Sequence, residues 1–417
     1  MHFTDTYLPR RDGVVTSLRT LVAQLSATGC PALTVVPRHP GQSGHDGLLR
    51  LPAVPCGIAD LRMSRWPLRG SWAAAPLAEI AAADPEIVHV HTPGPVGLLG
   101  VLAARTLGVP LVQTYHTDLH AYADAYRVPR AALSAAVRLY AHRLGTPRPA
   151  VPRPATGPGR RALAAGRRQT VLDATNTLLL AEAAALIVPT RSVLARLELP
   201  VPADRVFVIP TGVRHRSADP ATVEAFRTEH AISPAARMIL FVGRVSREKG
   251  VELLINAFAR LAAEAGDVQL VLVGAVYDPR WLAGLLRRAG VTDRVVVTGQ
   301  QPPAVVAAAY ACAEVFAFPS TTDTQALVLQ EAAHAGVPVV MVDAALHRDG
   351  PLAGAAVLTG HDANEFGSGI RSLLDDPAGA RSLADHAARN AAGHTPEAYA
   401  AAITAVYNWC ASSRRVR

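Results

Sequence analysis

Lysine is almost missing from this sequence. Of the 41 Lys and Arg residues in the 417-residue chain, one is Lys249 and 40 are arginine. Cysteine is scarce too: Cys30, Cys56, Cys312 and Cys410 lie far apart and form no Cys-x-x-Cys pair. Such usage fits a reducing cytoplasm and gives no support to a disulfide framework or a structural zinc site. No secretory signal is visible, and no stretch of about 18 uncharged apolar residues is available to span a bilayer. Acidic residues are absent from one long stretch: residues 127–168 hold ten arginines and no Asp or Glu. The whole chain has 41 basic and 33 acidic residues, so the remainder has 31 against 33, and the net charge of +8 resides in that segment.

What is present is apolar and periodic. Half of the residues are hydrophobic, and this length predicts two domains. Short apolar runs recur: "ALTVVP" (32–37), "IVHVH" (87–91), "PLVQTYH" (110–116), "ALIVP" (185–189) and "VFVIP" (206–210). A second series follows: "MILFVG" (238–243), "VQLVLVG" (268–274), "VVVTG" (295–299), "VFAFPS" (315–320), "VPVVMVD" (337–343) and "AAVLT" (355–359). Runs apolar throughout, alternating with helical stretches, predict parallel strands covered on both faces and an α/β doubly wound fold. The polar stretch 214–237 separates the two series and predicts a linker with a first helix. The expected division is 1–212, 213–395 and a C-terminal helix over 396–417 that packs back on the N-terminal domain. Ligands of such sheets bind at the carboxyl ends of strands, so two domains predict a site in the cleft between them. Only a stub precedes the first turn, "MHFTDTYLPRRDG"; either the first strand is short or the chain start lacks a few residues. Residues 144–168, rich in Pro, Gly and Arg, predict a mobile loop. Before them, Leu133, Val137 and Tyr140 recur at helical spacing, with Arg138 and His142 off that stripe.

The solitary lysine stands in "GRVSREKG" (243–250), a Gly-Arg-x5-Gly frame between an apolar strand and the amphipathic "VELLINAFARLAAE" (251–264). A cation in a Gly-bounded turn before a helix N-terminus is a phosphate-binding arrangement, because free N–H groups and the positive dipole end converge there. Lysine adds a compact point charge where arginine would present a planar fork. The plain alternative is a lysine left behind by arginine-biased codon usage. A second constellation lies in "PSTTDTQALVLQEAAHAGVPVV" (319–340), with Asp323 and Glu331 eight residues apart. Asp323 is expected in a loop at a strand's carboxyl end, and Glu331 two turns into the following helix. Carboxylates so placed accept from sugar or ribose hydroxyls; the alternative is a helix-capping Asp and a solvated Glu.

These segments resemble the family-4 retaining glycosyltransferases of the GT-B fold, two Rossmann-like domains facing a central cleft. "FTDTYLPRRDGVVTSLRTL" (3–21), "VHVHTPGPVGLLG" (88–100), "VQTYHTDLHAY" (112–122) and "VIPTGV" (208–213) are similar to the diacylglycerol glucosyltransferase and phosphatidylinositol mannosyltransferase branch. The resemblance implies that Arg244 and Lys249, with Gly243, grip the donor diphosphate. It implies that Glu331 holds the ribose hydroxyls and that Asp323 contacts the transferred sugar. Backbone N–H groups of Gln325, Ala326 and Leu327 would face sugar or phosphate. Gly13 resembles the glycine that lets the backbone approach the diphosphate, and His116 resembles the histidine at the sugar's reaction face. The implied catalytic set is therefore His116, Arg244, Lys249 and Asp323, with no enzymatic nucleophile named. No Asp-x-Asp pair is present, Asp375–Asp376 reads as a surface turn, and no metal or cofactor is expected beyond a nucleotide-sugar co-substrate.

Three departures bear on the sugar. Asp323 replaces the usual Glu, Ala326 a usual Gly, and "VGAVYD" (273–278) a glycine-rich turn. They admit a catalytically impaired relative, and the two-domain fold also admits a nucleotide-sugar 2-epimerase. The expected partners are a UDP-sugar or GDP-mannose donor and a lipid or small-molecule hydroxyl acceptor, with no nucleic acid. The basic segment 127–168 suggests docking to an anionic membrane surface, which would place a cytoplasmic protein on the inner face of the membrane. Without docking, a soluble acceptor becomes the reading.

Overall fold

The computed structural model describes residues 1–42, 44, 47–56, 62–64, 74–116, 130–146, 171–196 and 200–415. The chain forms two compact units, Met1–Gly212 with Pro396–Arg417, and Val213–Thr395. The expected loop 144–168 falls outside the described residues from 147 onward, as does most of the basic segment around it.

Among its described residues the first unit holds a seven-stranded parallel sheet. Its strands are β1 (His2–Phe3), β2 (Thr34–Pro37), β3 (Leu48–Leu51), β6 (Val88–Val90), β7 (Leu111–Thr114), β8 (Ala185–Val188) and β9 (Val206–Val208). The spatial order is β3-β2-β1-β6-β7-β8-β9, and every pairing is parallel. A small antiparallel pair, β4 (Ala53–Pro55) with β5 (Arg62–Ser64), accompanies it. The order reverses between β1 and β6. The strand stub of the chain start is thus a two-residue central strand, and the edge strand β3 and the β4–β5 pair were not legible as apolar runs.

Helices cover both faces. The helix Pro95–Leu107 buries Val96, Leu98, Leu99 and Val101 on Phe3, Val35 and Val90. The helix Arg130–Leu144 buries Val137, Tyr140 and Leu144 in the same core, while Arg138 and His142 stand exposed. On the other face the helix Gly13–Ala27 meets the C-terminal helix Pro396–Arg415, and Leu21, Leu25, Tyr399, Ile403 and Val406 pack with Val112 and Ile187. The buried Ser17 Oγ lies 2.8 Å from Thr211 Oγ1 and 2.9 Å from Tyr399 Oη. The C-terminal helix thereby completes the first unit's layer, tied by packing and by paired hydroxyls.

The second unit has a six-stranded sheet, again parallel throughout. Its strands are β10 (Arg237–Val242), β11 (Val268–Val273), β12 (Val295–Gly299), β13 (Val315–Phe318), β14 (Val339–Met341) and β15 (Val357–Leu358). The order β12-β11-β10-β13-β14-β15 reverses between β10 and β13. Two apolar layers flank it. One joins Ile239, Phe241 and Leu270 to Leu254, Phe258, Phe366 and Ile370; the other joins Met238, Leu240 and Phe316 to Leu329, Ala333 and Leu346. This double burial is why the strands read as unbroken apolar runs.

Candidate functional site

In the second unit Gly243, Arg244 and Lys249 follow β10, and Asp323 and Glu331 follow β13, the two strands that flank the reversal in order. Loops at such a reversal diverge to opposite sides and leave a crevice at the strands' carboxyl ends. After β10, Gly243 N–H donates to Val273 O at 2.9 Å. Gly274, one residue past β11, must be glycine: a Cβ there would lie 1.8 Å from Gly243 O. The departure "VGAVYD" therefore keeps the glycine that the strand-end packing needs.

The lysine turn has a similar cause. Arg247–Lys249 form one 3-10 turn that ends at Gly250, which is left-handed (φ 71°, ψ 16°). The helix Val251–Glu264 starts directly after it. A Cβ on Gly250 would fall 2.3 Å from Pro319 O. Glycine alone lets the turn abut the end of β13, which brings Lys249 to Asp323. Lys249 Nζ donates to Asp323 Oδ1 at 2.8 Å, and Ser320 Oγ donates to Asp323 Oδ2 at 2.5 Å. The two charged side chains are 14% and 21% exposed, so solvent screens the pair weakly. Burial pushes the Asp323 carboxyl up, but Lys249 and Ser320, with help from Arg244, outweigh it and hold the acid below the usual aspartate range. Arg244 Nη2 sits 2.7 Å from Glu248 Oε1, an i,i+4 ion pair. Both cations read from the sequence thus have a carboxylate beside them, and Asp323 is an ion-pair partner rather than a helix cap.

The cap is Ala326, held left-handed at φ 58° and ψ 79° ahead of the helix Leu327–His334. An alanine there carries strain on the order of 1 kcal/mol that glycine would not. Leu329 N–H donates to Ala326 O at 2.9 Å, while the N–H groups of Leu327 and Val328 before it have no acceptor within the helix. Gln325 beside them is buried. Glu331 lies in the second turn of that helix and is half-buried. Tyr310, on the helix Pro303–Cys312, has its hydroxyl 3.1 Å from Glu331 Oε2 and 3.1 Å from Val328 O. Burial raises the Glu331 pKa although the Tyr310 contact opposes it. Tyr310, Ser320 and Glu248 were missed by sequence reasoning. Ser320 had a signal, since it ends the strand run just before the acidic loop; Tyr310 had none.

In the first unit, Gly13 opens the helix Gly13–Ala27, capped by Asp12, whose carboxylate accepts from Val15 N–H (3.0 Å), Thr6 Oγ1 (2.9 Å) and Arg10 Nε (2.9 Å). A Cβ on Gly13 would meet nothing within 4 Å, so no described neighbour requires glycine. His116 follows β7, and its Nε2 lies 3.2 Å from Nδ1 of His91, which follows β6. Burial pushes the His116 imidazole down to about 4, although the Asp12 carboxylate pulls the other way, so it is neutral near pH 7. A small, open cavity lies beside this pair, with Thr92, Tyr115, Asn176 and Leu180 among its lining.

Comparison with known proteins gives the family and the fold. Residues 11–216 match the family described as Glycosyltransferase Family 4, and residues 236–376 match Glycosyl transferases group 1. A GDP-mannose-dependent alpha-mannosyltransferase of Mycolicibacterium smegmatis is 31% identical over 368 residues, covering 83% of this chain and 80% of that protein. An alpha-monoglucosyldiacylglycerol synthase of Streptococcus pneumoniae is 26% identical over 352 residues, 81% of this chain and 69% of that protein. Among solved structures, sucrose-phosphate synthase from Thermosynechococcus elongatus superposes with a TM-score of 0.71 at 21% identity, covering 96% of this chain and 94% of that one. The Anabaena protein Alr3699/HepE in complex with UDP and glucose gives 0.69 at 16% identity, covering 98% of each chain. The fold is GT-B, and the chain belongs to the family-4 glycosyltransferases.

Proposed function

We propose that this glycosyltransferase moves a sugar, with retention of configuration and without a metal ion, from a nucleoside diphosphate donor to a hydroxyl of a lipid or small-molecule acceptor. The observation that carries the reading is the meeting of Lys249, Asp323, Arg244 and the N-terminus of the helix Leu327–His334 at the carboxyl ends of β10 and β13. Departure of a nucleoside diphosphate develops negative charge on its oxygens. Fixed cations and helix N–H groups stabilise that charge, each well-placed donor by roughly 3–4 kcal/mol. An ammonium carries three N–H donors, so the Asp323 contact leaves Lys249 able to serve a phosphate oxygen as well. Glu331 is suited to the ribose hydroxyls and Asp323 to the transferred sugar, with Gly243, Gln325, Ala326 and Leu327 contributing backbone. Gly13 and His116 serve the diphosphate and the sugar's reaction face. The sugar C1–O bond to phosphate breaks, the acceptor oxygen bonds C1 on the same face, and the acceptor proton passes to the leaving phosphate.

A UDP-sugar or GDP-mannose is the expected donor, because the Mycolicibacterium relative is GDP-mannose-dependent and the Anabaena structure contains UDP. A lipid acceptor is suggested by the streptococcal relative, and the arginines of 127–168 would then dock the protein on the inner face of an anionic membrane. The test is product formation from UDP- and GDP-sugars with diacylglycerol, phosphatidylinositol and soluble polyol acceptors. Transfer that persists in EDTA with retained configuration is the expected result. Loss in EDTA restored by magnesium or manganese overturns metal independence, and an epimerised donor formed without any acceptor overturns transfer.

A further inference from the structure

Four histidines of the first unit stand together behind the cavity. His89 lies in β6 and His91 directly follows that strand, two residues on, and His2 pairs in register with His89 from the neighbouring β1. His2 Nδ1 lies 3.0 Å from His91 Nε2, and His91 Nδ1 lies 3.2 Å from His116 Nε2. The His91 and His116 ring planes lie within 19° of each other with 5.5 Å between centroids, so the rings meet edge to edge. His89, 4.1 Å from His91 by centroids, backs the chain, with Nδ1 2.6 Å from Tyr407 Oη and Nε2 2.7 Å from Thr114 Oγ1. His2, His89 and His91 are buried.

The spacing also invites a metal, since one ligand atom from each of His2, His89 and His91 fits within 4.8 Å of the others. The hydrogen bonds speak against it. Both nitrogens of His89 already face hydroxyls, and the facing nitrogens of His2 and His91 are in hydrogen-bond contact with each other. Two imidazole nitrogens 3.0 Å apart share a proton; they do not leave both lone pairs to a cation. A neutral imidazole carries one N–H and one lone pair. His91 therefore donates to one neighbour and accepts from the other, and its choice dictates which nitrogen of His116 carries the proton.

From this chain we infer that His91 is a positioning residue for the transfer reaction: through Nδ1 it holds the ring orientation and the tautomer of His116, and His2 in turn holds His91. The inference rests on the proposed role of His116 at the sugar's reaction face.

The test uses the position of each ring nitrogen. An asparagine side chain puts its amide where Nδ1 lies, whereas glutamine reaches towards the Nε2 position. His91→Asn keeps a partner for His116 and His91→Gln does not. His91→Gln should lower kcat on the order of 10- to 100-fold, as expected for a misplaced reacting group, and His91→Asn should recover most of it. Both variants should melt alike and keep the same thermal shift with the nucleoside diphosphate. In a His116→Ala background, His91→Gln should cost nothing further, because coupled residues are non-additive. An equal loss from His91→Gln in both backgrounds, or equal activity of the Asn and Gln variants, overturns the inference while leaving His116 in its role. Full activity of His116→Ala defeats the role of His116 itself. A stoichiometric rise in melting temperature on adding zinc alone, abolished by His91→Asn, overturns the hydrogen-bonded chain in favour of a metal.

Discussion

Lys249 serves two partners at once, the half-buried Asp323 and, in the proposed reaction, a phosphate. Lys249→Ala should lower turnover roughly 100- to 1,000-fold, by analogy with deletion of a preorganised donor. Lys249→Arg should fall between alanine and the natural protein, because guanidinium and ammonium are not interchangeable at fitted sites. Steady-state kinetics beside thermal melts separate the two effects. Full activity of the alanine variant would reduce Lys249 to a relic of codon bias. Stability has a definite pH dependence here. The Asp323 pKa is held below its ordinary value, so the pair contributes stability above about pH 4, the ordinary aspartate value, and loses it as pH falls through the depressed value. The gap in unfolding free energy between the natural protein and Lys249→Ala should therefore be widest near neutrality, up to roughly 3 kcal/mol for a weakly screened pair, and close below about pH 4. A gap that stays constant across urea titrations from pH 3 to 7 would show that the pair does not contribute.

At the scale of elements, the decisive contact is turn against strand end. Gly250 is left-handed, and any Cβ would press on Pro319 O at 2.3 Å. Gly250→Ala must push the lysine turn away from β13, which separates Lys249 from Asp323. The expected cost is at least about 2 kcal/mol, combining the left-handed penalty with the clash, together with weaker nucleoside diphosphate binding in calorimetry. An alanine variant of unchanged stability and affinity would refute the claim that this abutment builds the site. The sequence made the turn legible as a turn, since glycine frames and a strand–helix boundary are local signals. It carried no signal for the contacts of the Asp323 loop, because Asp323 finds its partner 74 residues away and Ala326, with no glycine to announce it, adopts the left-handed cap.

For the whole molecule, the C-terminal helix and the basic segment carry the predictions. Tyr399→Phe removes the hydroxyl 2.9 Å from Ser17 but leaves Ser17 paired with Thr211 at 2.8 Å. A loss of about 1 kcal/mol is expected, or about 2–4 °C in a unit of this size. A neutral result would mean that apolar packing alone holds the helix. If residues 127–168 dock on membranes, sedimentation with phosphatidylserine liposomes should fall steeply between low and high salt. Binding that is absent at low salt, or unchanged when residues 147–168 are deleted, would turn the acceptor search to soluble compounds. Among the described residues no helix is long and apolar enough to cross a membrane.

What the sequence determined by itself is what neighbouring residues can encode. Apolar runs marked most strands because both faces of each sheet are buried, and the order of motifs carried the family. "GRVSREKG" and the Asp323–Glu331 segment marked two loops at strand ends because each lies between a strand and the helix that follows it. Tertiary structure decided which of those loops meet. The reversal of strand order between β10 and β13 places Lys249 on Asp323, and Glu331 receives Tyr310 from a different helix. In the first unit the pairing of β1 with β6 and of β6 with β7 lines up His2, His91 and His116. Periodicity records which face of a strand is buried but not which strand lies beside it, and side-chain pairs across strands depend on that second fact.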